Sequence, residues 1–310
     1  MDHPLTISGI HHLTAISGSA RTNATFYRDL LGLRLVKKTV NFDDPFTYHL
    51  YYGDRYGRPG SLMTFFPWDG ERAGQAGAGM IESIALAVPP GSLNFWEGRL
   101  SDAGFKSVQR ETFGAPCLVL GDAHGLGLEL VEAPGSPAAA AWCEGPVPED
   151  CQITGIHGVR ACLYDVEEIK DLLTRLMGLT AVGEAENIHR FGPGDSSGGY
   201  YDIRVDPTAP QGRAGTGTVH HIAFRTRDDA EQAQWQHHLR RHGFQVTESR
   251  DRNYFNSIYF RSPGGVLFEI ATDPPGFLVD ENEESLGTSL QLPPQYEARR
   301  GEIEGRLPPL

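Results

Sequence analysis

Residues 9–17, GIHHLTAIS, and residues 218–226, TVHHIAFRT, carry the same pair of adjacent histidines at the head of an apolar, strand-like run. Working outward from either stretch, the chain repeats one plan. After GIHHLTAIS comes a helical pattern, TNATFYRDLLGLRLV (22–36), with apolar residues at helical spacing and a glycine near its end. Two alternating runs then follow, TYHLYYGD (47–54) and SLMTFFPW (61–68), joined by a Gly/Pro-rich turn. The plan recurs at MIESIALAVP (80–89), GIHGVRACLYD (155–165) and VHHIAFRTRD (219–228), each leading into a helix and two or three strands. Unit starts fall roughly 60 to 75 residues apart, the scale of one supersecondary unit.

The expected fold is therefore α+β: four βαβββ units in two similar halves, forming cup-like mixed sheets with helices outside. The Pro-, Gly- and Ala-rich stretch PGSPAAAAWCEGPVPEDCQ (134–152) reads as a connector. It divides the chain into an N-terminal half at 1–135, a linker at 136–152 and a C-terminal half at 153–275. A polar tail, 276–310, is expected to drape over the core.

Strand geometry picks one histidine from each doublet, because successive side chains point to opposite faces. His11 shares a face with Leu13 and Ala15, and His220 with Ile222 and Phe224; that apolar face should pack under the helices. His12 and His221 take the other, concave face and are the candidate metal ligands. His11 and His220 should sit beside them. In GGVLFEIAT (264–272), Phe268 and Ile270 share one face and Glu269 takes the other. An ionised carboxylate inside an apolar strand costs several kcal/mol unless it is paired or metal-bound, so Glu269 becomes the third candidate ligand. The matching places hold Ser83 and Gly158 in units two and three, Thr64 in unit one and Glu129 in unit two. Units two and three should thus form a degenerate, metal-free counterpart. Two histidines and one carboxylate leave coordination positions open, which suits Fe(II); Mn(II) accepts the same ligand types. A structural zinc would want a closed shell of four.

The bulk composition narrows the function further. With 40 acidic against 27 basic residues the formal net charge is −13, which disfavours nucleic acid and anionic lipid as partners. None of the four cysteines sits in a CxxC pair, so the thiols read as reduced and free. The N-terminus lacks the pattern of a signal peptide, and no apolar run nears the ~20 residues of a membrane helix. A cytoplasmic location is expected, and the sequence admits a homo-oligomer. His237, His238 and His242 fall in a polar helical segment and read as solvent-facing. His49, in YHLYYGD, is a weaker candidate for the cavity. FGPGDSSGG (191–199) reads as a flexible loop without the strand-to-helix context of a phosphate-binding glycine motif.

The four-unit layout, the HHLT and HHIAF strand heads, RSPGGVLFEI, PGSLMTFFP, and the tail residues ESLG and LPPQYE together resemble the vicinal-oxygen-chelate superfamily of glyoxalases, bleomycin-resistance proteins and extradiol dioxygenases. Within it the chain is most similar to the hydroquinone (para-diol) ring-cleaving dioxygenases, over nearly its whole length. The resemblance implies Fe(II), with Mn(II) as the alternative, held by His12, His221 and Glu269. It implies a small aromatic diol and O₂ as substrates. It also implies that Arg252 and Tyr259 contact the phenolic oxygens while His11 and His220 assist proton transfer. Two rivals are a glyoxalase-like lyase or isomerase, which Thr64 disfavours by supplying no further carboxylate, and a metal-free protein that sequesters a small molecule.

Overall fold

The computed structural model describes residues 5–134, 140–194 and 198–310. Residues 136–139 of the expected linker and 195–197 of the glycine-rich loop lie outside the described residues.

Each unit is a βαβββ module. Unit one runs β1 (Ile10–Ser17), α1 (Ala20–Ala24), β2 (Arg34–Asn41), β3 (Asp44–Gly53) and β4 (Leu62–Pro67). Unit two runs β5 (Met80–Val88), α2 (Leu93–Asp102), β6 (Ser107–Thr112), β7 (Ala115–Gly121) and β8 (Gly127–Glu132). Unit three runs β9 (Gly155–Leu163), α3 (Glu167–Asp171), β10 (Thr180–Ala185), β11 (Ile188–Gly192) and β12 (Tyr200–Val205). Unit four runs β13 (Thr218–Thr226), α4 (Asp229–Arg241), β14 (Arg250–Asp251), β15 (Phe255–Arg261) and β16 (Leu267–Pro275).

The helical stretch of unit one is shorter than its periodicity predicts. Ser19 caps α1 by accepting from Thr22 N–H, and the chain then widens into a π-helical turn at Thr25–Leu30. At Gly32 the backbone turns with φ +72°, a conformation glycine adopts without penalty. Arg34, Leu35 and Val36, the end of the expected helix, therefore belong to β2. Unit three repeats the feature, with α3 followed by a π turn at Leu172–Leu176.

The two sheets cut across the two halves of the sequence. Sheet one has the order β14-β15-β16-β13-β1-β4-β3-β2 and joins units one and four; sheet two, β10-β11-β12-β9-β5-β8-β7-β6, joins units two and three. In both, the central first strands pair antiparallel, and each pairs in parallel with the last strand of its own unit. The apolar faces merge into one large core that draws on both sheets and on Trp96 and Trp235 from the helices. This is a pair of curled mixed sheets of the α+β class.

Both central pairs are bulged in the same way. Along β1 and β13 the partners run Ile10 to Phe224, then His12 to Ala223, so His11 has no partner; on the other side Thr14 pairs with His221 and Ala15 with Val219, so His220 has none. In sheet two, Glu82 and His157 are skipped at the corresponding places. A bulged residue is re-aimed out of strict alternation. That is why His11 and His220 do not lie simply under the helices with their apolar parity-mates.

The tail crosses β2 and is fastened there by a buried ion pair. The Lys37 ammonium, fully buried, contacts the carboxylates of Asp280 and Glu281 and lies 4.9 Å over the Tyr254 ring. Gln291 N–H donates to the Lys38 carbonyl, and Tyr296 donates its hydroxyl to the Phe42 carbonyl at 2.7 Å. Removing one partner of a buried pair leaves uncompensated charge, at a cost of about 3–5 kcal/mol. Lys37→Met is therefore expected to lower the urea unfolding midpoint by an amount corresponding to that cost; an unchanged midpoint would show that this ion pair contributes nothing to stability.

Candidate metal centre

His12 on β1, His221 on β13 and Glu269 on β16 come together on three neighbouring strands. Register explains it: Thr14 lies opposite His221, and Ala223 lies beside Glu269. The three side chains are buried and form the one group of His, Cys, Asp and Glu among the described residues whose ligand atoms gather closely enough for a metal ion. Glu269 Oε2 is 2.9 Å from His221 Nε2 and 3.5 Å from His12 Nε2, and the two imidazole nitrogens are 3.4 Å apart. Metal–ligand bonds of about 2.1 Å at right angles give ligand–ligand edges of about 3 Å, so the cluster has the size of one face of a coordination shell.

Hydrogen bonding favours the same use. Within each doublet the Nδ1 atoms meet, His11 with His12 at 2.9 Å and His220 with His221 at 2.7 Å. This leaves Nε2 of His12 and His221 directed at Glu269. Glu269 Oε1 accepts from the Ser257 hydroxyl. Oε2 is buried with no partner in hydrogen-bonding geometry, despite the two nearby nitrogens. A buried carboxylate oxygen faced by two ring nitrogens without a hydrogen bond is what a cation-binding donor set provides. Burial pushes the Glu269 carboxyl pKa up, but the attraction of His12 and His221 prevails and holds it well below the usual range. Burial depresses His221, only partly opposed by Glu269.

The neighbours form a cavity of about 280 Å³ above this cluster. His220 lines it, its pKa pushed down to about 4 by burial and by His221; His11, beside His12, is likewise held well below its ordinary value by burial. Tyr259 stands opposite Glu269 on β15, with its ring 5.8 Å from that of His221. Burial raises the Tyr259 phenol, and Glu269 raises it further. Arg252 Nε–H donates to the Tyr259 hydroxyl at 3.3 Å. Burial works against the Arg252 charge, but Tyr259 and Glu269 more than offset it. All seven site residues singled out in the sequence therefore lie in or directly beside one place.

His49, the weaker candidate, also lines the cavity. Its Nε2 meets Thr64 Oγ1 at 3.0 Å and its Nδ1 meets the Tyr51 hydroxyl at 2.8 Å, while Thr64 is bonded to Thr14 at 2.8 Å. The place across from Glu269 is thus occupied by a hydroxyl already tied up. Phe42, Phe66, Trp68, Thr247 and Arg250 complete much of the lining and were not singled out in the sequence. No spacing signal marks them, because they come from a hairpin tip, the end of one strand, an irregular segment and an edge strand. His237 and His242 are exposed, and His238 is half-buried.

Sheet two shows what the same scaffold does without the triad. Ser83 lies opposite Arg160 in the strand register, and Glu129 is held by Arg160 at 2.7 Å and by the Ser83 hydroxyl at 2.9 Å. Asp202, alongside Arg160 on β12, makes a bidentate pair with Arg190 at 2.8 Å. The Arg190 guanidinium stacks between Phe113 and Tyr200, 3.9 and 4.5 Å from their ring centres. Guanidinium groups supply there the positive charge that the carboxylates need. The four cysteines are free, and no described helix is long and apolar enough to cross a membrane.

Paired βαβββ modules with two imidazoles and a carboxylate at the floor of a sheet-lined cavity define a class: small-molecule proteins whose ligand sits over a candidate metal site inside a curled sheet. The chain belongs to the glyoxalase/bleomycin resistance protein/dioxygenase superfamily, whose pattern matches residues 155–270. It is 46% identical to the Bacillus subtilis (strain 168) protein named "Putative ring-cleaving dioxygenase MhqO", over 97% of this chain and 96% of that one. It is 34% identical to the chlorohydroquinone/hydroquinone 1,2-dioxygenase of Sphingobium indicum (strain UT26S), over 98% of this chain and 97% of that one. The crystal structure of a putative dioxygenase from Bacillus subtilis superposes with a TM-score of 0.94 at 46% identity, covering 99% of this chain and 98% of that one. Glyoxalase I from Zea mays shares the fold, with a TM-score of 0.65 at 13% identity, over 86% of this chain and 92% of that one.

Binding to the native state stabilises it by RT ln(1 + [L]/Kd), about 2.7 kcal/mol at a hundredfold excess over Kd. Anaerobic Fe(II) or Mn(II) should therefore raise the melting temperature of the wild type. His12→Ala, His221→Ala and Glu269→Ala should abolish the shift, and Glu129→Gln should leave it intact. A shift that survives Glu269→Ala would place the ion elsewhere.

Proposed function

We propose that the protein is a ring-cleaving dioxygenase that opens a hydroquinone-like aromatic diol with O₂ at a single Fe(II), which Mn(II) could replace, held by His12, His221 and Glu269. The observation that carries this reading is the gathering of Nε2 of His12, Nε2 of His221 and Oε2 of Glu269 under a cavity that also presents Tyr259 and Arg252. The names of the two relatives above point the same way. Such an ion, when bound, brings the diol and O₂ together and carries the electrons exchanged between them.

The protein's own groups do the rest. Arg252 and Tyr259 present N–H and O–H donors where the diol's oxygen would lie, which favours that oxygen as an anion. Deprotonation then needs no strong base within the pocket. His11 and His220 are poor bases, because burial lowers both. With Nε2 of His12 and His221 given to the metal, the Nδ1–H of each must donate to Nδ1 of its neighbour. His11 and His220 are then neutral and carry their proton on Nε2. The resemblance implies that these histidines assist proton transfer. In this arrangement His220, which lines the cavity, can assist as an N–H donor to a reacting oxygen, and His11, which does not line it, orients His12. The ring planes of Phe66 and Trp68, stacked at 29°, supply an aromatic wall against which a flat substrate can lie.

Thr64, tied to Thr14 and His49, offers no second carboxylate for a glyoxalase-like proton abstraction. The test is anaerobic Fe(II) reconstitution followed by an oxygen-electrode assay with substituted hydroquinones. One O₂ should be consumed per diol, and Arg252→Gln should lower kcat/KM by about 10²–10³-fold, the usual effect of losing one oxyanion donor. Turnover of a hemithioacetal without oxygen uptake would favour a lyase. Ligand binding without bound metal would favour sequestration.

A further inference from the structure

A para-diol has its oxygens at opposite ends of the ring. With one at the cavity floor, the other must point toward the mouth. Three groups mark the way out: the His221 ring is buried, the Tyr259 ring 5.8 Å from it is half-buried, and the Arg250 guanidinium, 5.9 Å from the Tyr259 ring centre, is exposed at the rim. Two other polar oxygens of the lining already accept hydrogen bonds. Asn41 Oδ1 accepts from Asp43 N–H, and Thr247 Oγ1 accepts from Tyr259 N–H. The Arg250 guanidinium has no carboxylate or hydrogen-bond partner among the described residues and only overlies Tyr259. β14, only two residues long, holds its backbone at the sheet edge by pairing with Ser257, the residue whose hydroxyl meets Glu269. Arg250 is thereby registered to the metal cluster through one strand.

We infer that Arg250 is the specificity-determining residue that binds the distal oxygen of the ring and so selects a para-diol over a phenol with one hydroxyl. The inference rests on the ring-cleaving reading above and adds to it the group that recognises the second oxygen. Asp43, also on the rim, disfavours an anionic ring substituent there, which leaves a hydroxyl as the chemistry that suits both neighbours. A hydrogen bond from a charged donor is worth about a tenfold or greater difference in affinity.

The experiment is equilibrium dialysis of hydroquinone and of phenol against Fe(II)-loaded protein without oxygen, for the wild type, Arg250→Gln and Arg250→Lys. The wild type should hold hydroquinone about tenfold or more tighter than phenol. Arg250→Gln should erase that preference by weakening hydroquinone alone, and Arg250→Lys should restore part of it. Equal weakening of both compounds, a preference that survives Arg250→Gln, or no binding of either overturns the inference. Oxygen uptake by the same preparations separates the two readings. Selective binding without uptake sinks ring cleavage and leaves Arg250 as the recognition group, whereas uptake with unchanged selectivity in Arg250→Gln sinks the role of Arg250 alone.

Discussion

A fully buried carboxylate on a central strand is the constraint around which this molecule is arranged. Glu269 lies between β15 and β13 with no access to solvent, where an isolated charge would cost several kcal/mol. Its Oε1 is satisfied by Ser257, and its Oε2 faces two imidazole nitrogens. Everything near it serves that anion. The doublet partners orient the two imidazoles, Tyr259 sits across the strand pair, and Arg252 adds a cation one residue's reach further out.

The same backbone solves the same problem twice with different side chains. Sheet two repeats the strand order and the bulges of sheet one, and it too carries carboxylates on its concave face. There Arg160 and Arg190 are built in as permanent counter-charges to Glu129 and Asp202, with Arg190 wedged between two aromatic rings. A covalent guanidinium neutralises a carboxylate but offers no open position to a guest. The proposed exchangeable ion in sheet one offers both, which accounts for a single candidate centre among the described residues of a doubled scaffold.

The cavity's outer wall depends on the tail. The hairpin between β2 and β3 places Phe42 at the rim, where the Arg252 guanidinium lies 5.4 Å over its ring. Tyr296 holds the Phe42 carbonyl from the outside, and Arg299 and Arg306 pack on Phe46. The last 35 residues thus act on the mouth of the pocket, with Lys37 as their anchor.

Period-2 alternation identified His12, His221 and Glu269 from the sequence, because a strand residue's face is a local property of the backbone and an ionisable residue in an apolar run stands out against it. The fourfold βαβββ plan was legible for the same reason. The bulges at His11 and His220 were not, since a bulge exists only relative to a partner strand; nor was the shortened helix of unit one, where a π turn and Gly32 end what the spacing alone would continue. Only the tertiary structure decided that Thr64 is tied to His49 and that Phe42, Trp68 and Arg250 meet at one rim. Those contacts join residues tens to hundreds of positions apart, and their energies depend on strand pairing and packing that no local pattern encodes.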